Sequence, residues 1–254
     1  MEIYVFRDPA NHVEEIKQCY DEFNSLLSLY ADQPNQNNKR FLRLLYDLSH
    51  VVHHHSFAQE FIESLFSFVE THPQSLSSDV RVAFVQAIIV LHNKGLIETP
   101  DLIKRFMPLI RINDKTVRRI ICGHFVNVLP GKQTPATKKE LRKFVTDENP
   151  RVSFKAMQLI VDVFHKENIE DSQTVNFIAR SLKIENPRIA NMIVSFFIDP
   201  YVPRSEDDDF DFEEEKKKAE HLIKVNARSS KAEKKLKNIQ HKRSPIPKEP
   251  IKVI

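Results

Sequence analysis

Glycine is scarce in this sequence, with only three among 254 residues, at Gly95, Gly123 and Gly131. Strand-rich folds need glycine in their tight turns, and phosphate-binding loops need it where the backbone approaches the ligand. Apolar side chains make up 41% of the chain, and helix-forming residues dominate the remainder. We therefore predict an all-α protein with enough apolar residues to bury a sizeable core.

Cysteines and long apolar runs are equally sparse. Cys19 and Cys122 lie far apart, which excludes a disulfide framework or a zinc knuckle and favours a reducing compartment. No stretch approaches the roughly 18 uninterrupted apolar residues of a transmembrane helix. The N-terminus also lacks the basic region and apolar segment of a secretory signal. These absences predict a soluble, intracellular protein.

Motifs of catalysis and cofactor binding are also missing. The sequence contains no nucleophile elbow, no P-loop and no dinucleotide-binding fingerprint. The most metal-like pattern is the cluster His50, His53, His54 and His55, in which His50 and His54 share one helix face. No glutamate stands between them as in the zincin motif, and no cysteine lies near, so we favour a helix end where histidine complements the dipole. We predict no enzymatic activity, no cofactor and no metal site.

An arginine recurs after a short polar turn in the central part of the chain. The intervals are 37, 33 and 37 residues, and each arginine opens an amphipathic stretch, at Arg81, Arg118, Arg151 and Arg188. Second apolar stretches lie between successive arginines, at 99–110, 137–145 and 172–182. Two helices in a period of this length are typical of an α-solenoid, whose units stack and share one core. We predict a HEAT-like or armadillo-like α-solenoid.

The polar turns suggest what the four arginines do. In "LIRINDKTVRR" (109–119), the aspartate is placed to cap the next helix, and the arginine can pair with an acid of the adjoining unit. Pro150 and Pro187 stand directly before their arginines, as proline does in a first helical turn. We predict that these arginines are structural. Three further helices of less regular spacing, expected for a terminal cap, are predicted at 12–32, 38–55 and 58–72.

The charge pattern changes near residue 199. Residues 1–200 carry 24 basic and 24 acidic residues, so the net charge of +3 lies entirely beyond them. Eight acids lie between Glu206 and Glu215, and eleven basic residues follow in 216–243. Such blocks cannot build a packed core. We divide the chain into two parts, a helical-repeat domain and an acidic-then-basic tail that is largely disordered or partly helical, at 1–198 and 199–254.

The basic part of the tail is the best candidate for a contact site. Its cations can neutralise several phosphates, which gives salt-dependent RNA affinity, but it lacks the aromatic residues that base stacking needs. The alternative is a solvated tail or a nuclear import signal, which "EKKLKNIQHKR" (233–243) also fits. The acidic tract is suited to basic partners such as ribosomal proteins. The candidate contact residues are Lys216, Lys217, Lys218, Lys224, Arg228, Lys231, Lys234, Lys235, Lys237, Lys242 and Arg243.

Several strings, in order along nearly the whole chain, carry a resemblance to a known family. They are "RDPANHVEEI" (7–16), "SHVVHHH" (49–55), "SDVRVAFVQAIIVLHNKGLI" (78–97), "LIRINDKTVRRIICGHFV" (109–126), "DSQTVNFIARS" (171–181) and "ARSSKAEKKLKNIQ" (227–240). Together they resemble the N-terminal region of the "severe depolymerization of actin" family of eukaryotic large-subunit ribosome assembly factors. Members are usually longer, so we expect this chain to be a fragment or a reduced member.

The resemblance implies a function as well as a fold. It implies a non-catalytic helical-repeat protein of the nucleus and nucleolus that binds pre-60S particles and supports their maturation and export. Ribosomal proteins, assembly factors and the pre-rRNA backbone would be its partners, without a membrane or a small-molecule substrate. The alternative is a protein-binding adaptor in transport or actin cytoskeleton organisation, because solenoids of this type often serve such complexes.

Overall fold

Ten α-helices follow one another in the part of the chain that the computed structural model describes, residues 8–32, 38–167 and 171–198. Short 3₁₀ turns lie beside them, at Pro9–Asn11, Val52–His54, Leu129–Gly131, Phe144–Thr146 and Ser181–Lys183. The helices are α1 (Val13–Asp32), α2 (Lys39–Val51), α3 (Ala58–Thr71), α4 (Ser78–Asn93), α5 (Thr99–Leu109), α6 (Lys115–Val128), α7 (Pro135–Lys143), α8 (Pro150–Glu167), α9 (Ser172–Arg180) and α10 (Pro187–Ile198). The predicted all-α class is confirmed.

Polar residues in the turns fix where the helices begin. The Asn38 side chain accepts hydrogen bonds from the backbone N–H groups of residues 40 and 41, and Asp114 and Asn149 cap α6 and α8 in the same way. Such caps satisfy donors that have no partner within the helix. Pro150 and Pro187 occupy the first position of their helices, as the sequence predicted.

Gly95 ends α4 with a left-handed backbone conformation, at φ +78°. The N–H groups of Gly95 and Leu96 turn back to the carbonyls of His92 and Leu91, which closes the helix end. This turn needs a residue with positive φ, and glycine adopts it without a steric penalty from Cβ. The chain is thereby directed into α5.

The helices lie in two rows. Even-numbered helices contact one another in order, α2 with α4, α4 with α6, α6 with α8 and α8 with α10. Odd-numbered helices pack against this row, with α1 on α2, α3 on α4, and α7 and α9 on α8, while α5 contacts α7 and α8. None of the described helices combines the length and hydropathy that a bilayer crossing requires.

Contacts at both ends show that the even-numbered helices run in the same direction. At their N-terminal ends, the Ser78 hydroxyl donates to Asp114. At their C-terminal ends, Lys166 Nζ donates to the Val126 carbonyl and Lys94 Nζ lies 3.2 Å from His53 Nδ1. Each even-numbered helix is thus the second helix of one unit, and equivalent ends of successive units are adjacent.

Phenylalanine rings form the centre of the core between the rows. Six of them are fully buried: Phe23, Phe41, Phe61, Phe84, Phe106 and Phe125. Rings touch within units, at centroid distances of 5.3 Å for Phe23–Phe41 and 6.2 Å for Phe106–Phe125. They also touch between successive units, at 5.9 Å for Phe41–Phe84 and 6.1 Å for Phe66–Phe106. No single helix pair encloses these rings alone, so the units depend on their neighbours for a core.

Candidate functional site

Arg81 and Asp114 join the turn before α4 to the turn before α6. The Asp114 Oδ2 atom accepts hydrogen bonds from the Ser78 hydroxyl at 2.8 Å and from Arg81 Nη2 and Nε at 2.9 and 3.1 Å. Arg81 Nη1 also donates to the carbonyls of Leu76 at 2.6 Å and Pro73 at 3.3 Å. The Arg81 side chain therefore hydrogen-bonds both to the turn before its own helix, α4, and to the turn before α6.

The surroundings of Asp114 favour its charged form. The side chain is 4% exposed, and that of Arg81 is 12% exposed. Burial alone would raise the pKa of the Asp114 carboxyl, but hydrogen bonds from Ser78, the Val117 N–H and Arg81, together with the guanidinium charge, lower it overall. This buried, satisfied ion pair is suited to fixing the distance between two units.

Different donors join the later turns. Arg111 Nη2 lies 2.8 Å from Asp147 Oδ2 and bridges the turns before α6 and α8. Asn186 Nδ2 donates to the Pro150 carbonyl at 3.3 Å and bridges the turns before α8 and α10. The turns before α4, α6, α8 and α10 are therefore stacked on one another. The side chain that makes the contact differs from one turn to the next.

The other three predicted arginines lie in unlike environments. Arg118 is 3% exposed, and its Nη1 donates to the Ile112 carbonyl of its own turn at 2.8 Å. Arg151 is half-buried and Arg188 is exposed, and the backbone N–H of each donates to the asparagine that caps its helix. A common role of all four arginines in unit packing stays a prediction.

His50, in the last turn of α2, and His53, in the 3₁₀ turn that follows, each have a polar neighbour. His50 Nδ1 lies 2.8 Å from the Tyr46 carbonyl, and His53 lies beside Lys94. Burial, then the charge of Lys94, lowers the pKa of His53. Across the residues described, no three histidine, cysteine, aspartate or glutamate side chains are grouped so that they could hold a metal ion.

A second pair of histidines, which sequence reasoning missed, links α4 and α6. His124 Nε2 lies 3.1 Å from His92 Nδ1, and His92 Nε2 lies 3.1 Å from the Thr99 hydroxyl. Burial, then the neighbouring His92, lowers the pKa of His124 to about 4. The pair is therefore neutral at pH 7 and acts as a buried hydrogen-bonded chain. Their separation in sequence, 32 residues, is close to the repeat period, and that spacing was the available signal.

A small cavity lies between α7, α8 and α9. Its volume is about 220 Å³, and a second, more open pocket of about 510 Å³ shares Gln133, Lys138 and Arg142 with it. Lys138 Nζ lies 2.6 Å from Asp171 Oδ2, and this hydrogen bond, followed by one from Thr174, lowers the pKa of Asp171. The polar groups at the rim already have partners in each other, so the cavity is poorly suited to a substrate. Its apolar wall consists of Leu141, Ile160, Val163 and Phe164.

The eleven basic candidates of the tail, between residues 216 and 243, lie outside the described residues. No geometry is therefore assigned to them, and their contact with RNA stays a prediction. The two cysteines lie in the described helices, where both are half-buried. Burial raises the pKa of the Cys19 thiol, so this group is not activated as a nucleophile.

Stacked two-helix units, with turns joined at intervals of 33 to 36 residues, define an α-solenoid of the HEAT-repeat class. Residues 48–249 match the sequence profile described as "SDA1, HEAT repeat", which is more than half of the chain. The chain belongs to the SDA1 family. The resemblance seen in the sequence is thereby confirmed.

Relatives named for this family match most of the chain. "Protein SDA1 homolog" of Xenopus tropicalis is 26% identical over 201 residues, which cover 76% of this chain and 29% of the relative. The homologue of Drosophila melanogaster is 27% identical, with 68% and 26% covered. "Protein SDA1" of Chaetomium thermophilum is 19% identical, with 90% and 32% covered. The chain thus spans less than a third of the length of these relatives.

Proposed function

We propose that this chain is a non-catalytic scaffold of large ribosomal subunit biogenesis, which binds pre-60S particles and supports their maturation and nuclear export. The observation that carries the proposal is the match of residues 48–249 to the SDA1 HEAT-repeat family. The fold agrees with it, because a solenoid offers long continuous surfaces for proteins and nucleic acid. The site of action would be the nucleus and nucleolus.

Within this function, the two parts of the chain have separate roles. The helical domain, 1–198, would pack against ribosomal and assembly proteins, and the tail, 199–254, would reach pre-rRNA. The basic residues between 216 and 243 would neutralise phosphates without reading bases, since no aromatic residue lies among them. The acidic tract before them would engage basic ribosomal proteins.

Sedimentation of the tagged chain from nuclear extract tests the proposal. Gradient fractions are probed for 27S-type pre-rRNA, and the gradient is repeated at two salt concentrations. We expect co-migration with large-subunit precursors that weakens as salt rises. Migration as a free protein, together with a cytoplasmic location of the tagged chain, would contradict the proposal and favour an adaptor in transport or the actin cytoskeleton.

A matched pair of variants separates the two parts of the chain. Lys234→Glu with Lys235→Glu removes basic charge from the tail, whereas Lys17→Glu with Lys104→Glu makes the same charge change in the helical domain. The proposal expects the first pair to reduce co-migration strongly and the second pair to leave it close to that of the unaltered chain. Equal retention of both pairs would show that the tail does not contact the particle.

A further inference from the structure

The two rows of helices differ in the charge that they expose. Among the described side chains, the even-numbered helices expose seven lysines and arginines but only one acid, Asp79. The odd-numbered helices expose five basic and seven acidic residues. This difference is invisible in the net charge, because residues 1–200 are balanced at 24 of each sign. The charge is therefore segregated by layer.

Apart from Arg40, which pairs with Glu22 of α1, these cations lie on the outward side of the even-numbered row, which we call the even-helix face. In α6 the buried residues Val117, Ile121 and Phe125 point towards the core, so Lys115 and Arg119 lie on the opposite side. The same reasoning places Lys39 and Arg43 outward on α2, opposite its buried side. The even-numbered helices are neighbours, so their outward sides adjoin one another. Further exposed cations are Lys166 on α8 and Arg188 on α10.

Two features of the face favour a regular polyanion. Helices that pack side by side are about 8–10 Å apart, so the cations of α2, α6, α8 and α10 extend over roughly 40 Å. Helix α4 contributes no exposed cation, because Arg81 is paired with Asp114. The even-numbered helices also run in one direction, so the positive ends of their dipoles lie along the same edge as most of these cations. A chain with a charge at every residue can meet such an array at many points, and the phosphate backbone of RNA is such a chain.

An exposed aromatic ring on the same face distinguishes RNA from an acidic peptide. Tyr46 is 58% exposed. It lies on the outward side of α2, because helical spacings of four, three and four residues place Lys39, Arg43, Tyr46 and His50 on one stripe of the helix. Its ring contacts the His50 ring at a centroid distance of 4.4 Å. An exposed ring among cations is the arrangement on which unpaired bases stack.

We infer that the even-helix face of the folded domain binds the phosphate backbone of RNA, with Tyr46 stacking on an unpaired base. This site is separate from the tail, and it does not depend on the proposed role in ribosome biogenesis. Two of the seven exposed cations are already neutralised, since Arg43 Nε lies 3.0 Å from the fully buried Asp47 and Arg40 Nη2 lies 2.7 Å from Glu22 Oε2. The test therefore uses other residues.

The test is RNA binding by the full chain, measured by fluorescence anisotropy with a 30-nucleotide oligouridine and with a duplex of equal length. The face variant is Lys115→Glu with Arg119→Glu, and the matched control is Lys104→Glu with Lys139→Glu on odd-numbered helices. All four residues are exposed, and each pair changes the net charge equally. The tail is intact in every protein, so its contribution cancels in the comparison. Far-UV circular dichroism checks that each variant is folded.

We expect the face variant to bind oligouridine at least tenfold more weakly at 0.1 M salt, and the control to stay within about threefold. The slope of log K against log salt should fall by about 1.4 in the face variant, since two phosphate contacts are lost. Equal weakening of both variants would mean that net charge alone attracts RNA, and it would overturn the inference. Unchanged binding of the face variant would overturn it as well.

Two further measurements decide the kind of ligand. Tyr46→Ala should weaken oligouridine binding by about fivefold or more without changing the salt slope, and it should leave duplex binding unchanged. Equal weakening for both RNAs would contradict the stacking role of Tyr46. Polyglutamate of matched charge should displace RNA poorly, and displacement as efficient as that by unlabelled RNA would assign the face to acidic peptides instead.

Discussion

The Arg81–Asp114 ion pair should contribute about 2 kcal/mol of coupling between two units of the solenoid. Its side chains are 12% and 4% exposed, so the pair is more buried than a surface ion pair but less buried than a pair in a protein core. Surface pairs stabilise by about 0.2–1 kcal/mol, whereas breaking a fully buried pair costs about 3–5 kcal/mol, and the expected coupling energy lies between these values. Arg81→Met also leaves the carbonyls of Leu76 and Pro73 without their donor. We therefore expect Arg81→Met to lower the free energy of unfolding by about 3 kcal/mol.

A double-mutant cycle isolates the pair from the helix cap. Asp114→Asn removes the charge but keeps an oxygen that can accept from the N–H groups of residues 116 and 117. The four proteins are compared by urea unfolding with far-UV circular dichroism, and by thermal unfolding. At this domain size about 3 kcal/mol corresponds to a decrease in Tm of roughly 6–12 °C.

The coupling energy measured by the double-mutant cycle should also depend on pH. Because the pKa of Asp114 is lowered in the folded protein, the pair stabilises above the pKa of the unfolded carboxyl, and this stabilisation is lost as the pH falls through the folded pKa. The coupling between Arg81 and Asp114 should therefore disappear in acid. Effects of the two substitutions that add within about 0.5 kcal/mol at pH 7 would refute the reasoning.

Three other predictions concern the same domain. Arg118→Ala should lower the free energy of unfolding by about 2–3 kcal/mol, because Arg118 is buried and donates to a turn carbonyl. Arg188 is exposed, so Arg188→Ala should lower it by less than about 0.5 kcal/mol. The urea unfolding midpoints of the two variants test this difference. The lowered pKa of His124 means that stability should fall from pH 6.5 towards about 4, and His124→Gln should flatten this part of the Tm profile. Gly95→Ala should destabilise the fold by about 1 kcal/mol because φ is +78°, but Gly123→Ala should stabilise it by about 0.5–1 kcal/mol because helix α6 has space for the methyl group. A rise in Tm for Gly95→Ala, or a fall in Tm for Gly123→Ala, would contradict this pair.

The sequence was sufficient for the helices and their order. The apolar spacing of three and four residues, the polar caps and the prolines at first helical positions each act locally, so they can be recognised without the fold. Differences occur at helix ends, where 38–55 becomes a helix ending at Val51 and a 3₁₀ turn over Val52–His54. Helix ends are less determined because tertiary contacts compete with the last hydrogen bonds.

Contacts between units could be predicted only in part. The sequence predicts that a repeat arginine pairs with an acid of the next unit, and Arg81 and Asp114 form such a pair. In the later turns, the side chains that make the contact are Arg111 and Asn186 instead. Which side chain reaches a neighbouring turn depends on side-chain length and the rotation between units, and neither is encoded in a repeat period. The 32-residue spacing of His92 and His124 matches the repeat, but it does not show that the two rings meet, and the pair was therefore missed.

Charge segregation follows from the same geometry and explains why one face can be basic in a neutral domain. Even- and odd-numbered helices alternate, with successive helices beginning 15 to 26 residues apart, so any sequence window long enough to contain a unit averages the two layers. Only the stacking of units collects Lys39, Lys115, Arg119, Lys166 and Arg188 on one side. Long-range attraction depends on the local field of a surface, because charges more than about 10 Å away are largely screened at 0.1 M salt. The even-helix face can therefore attract a polyanion although residues 1–200 carry no net charge.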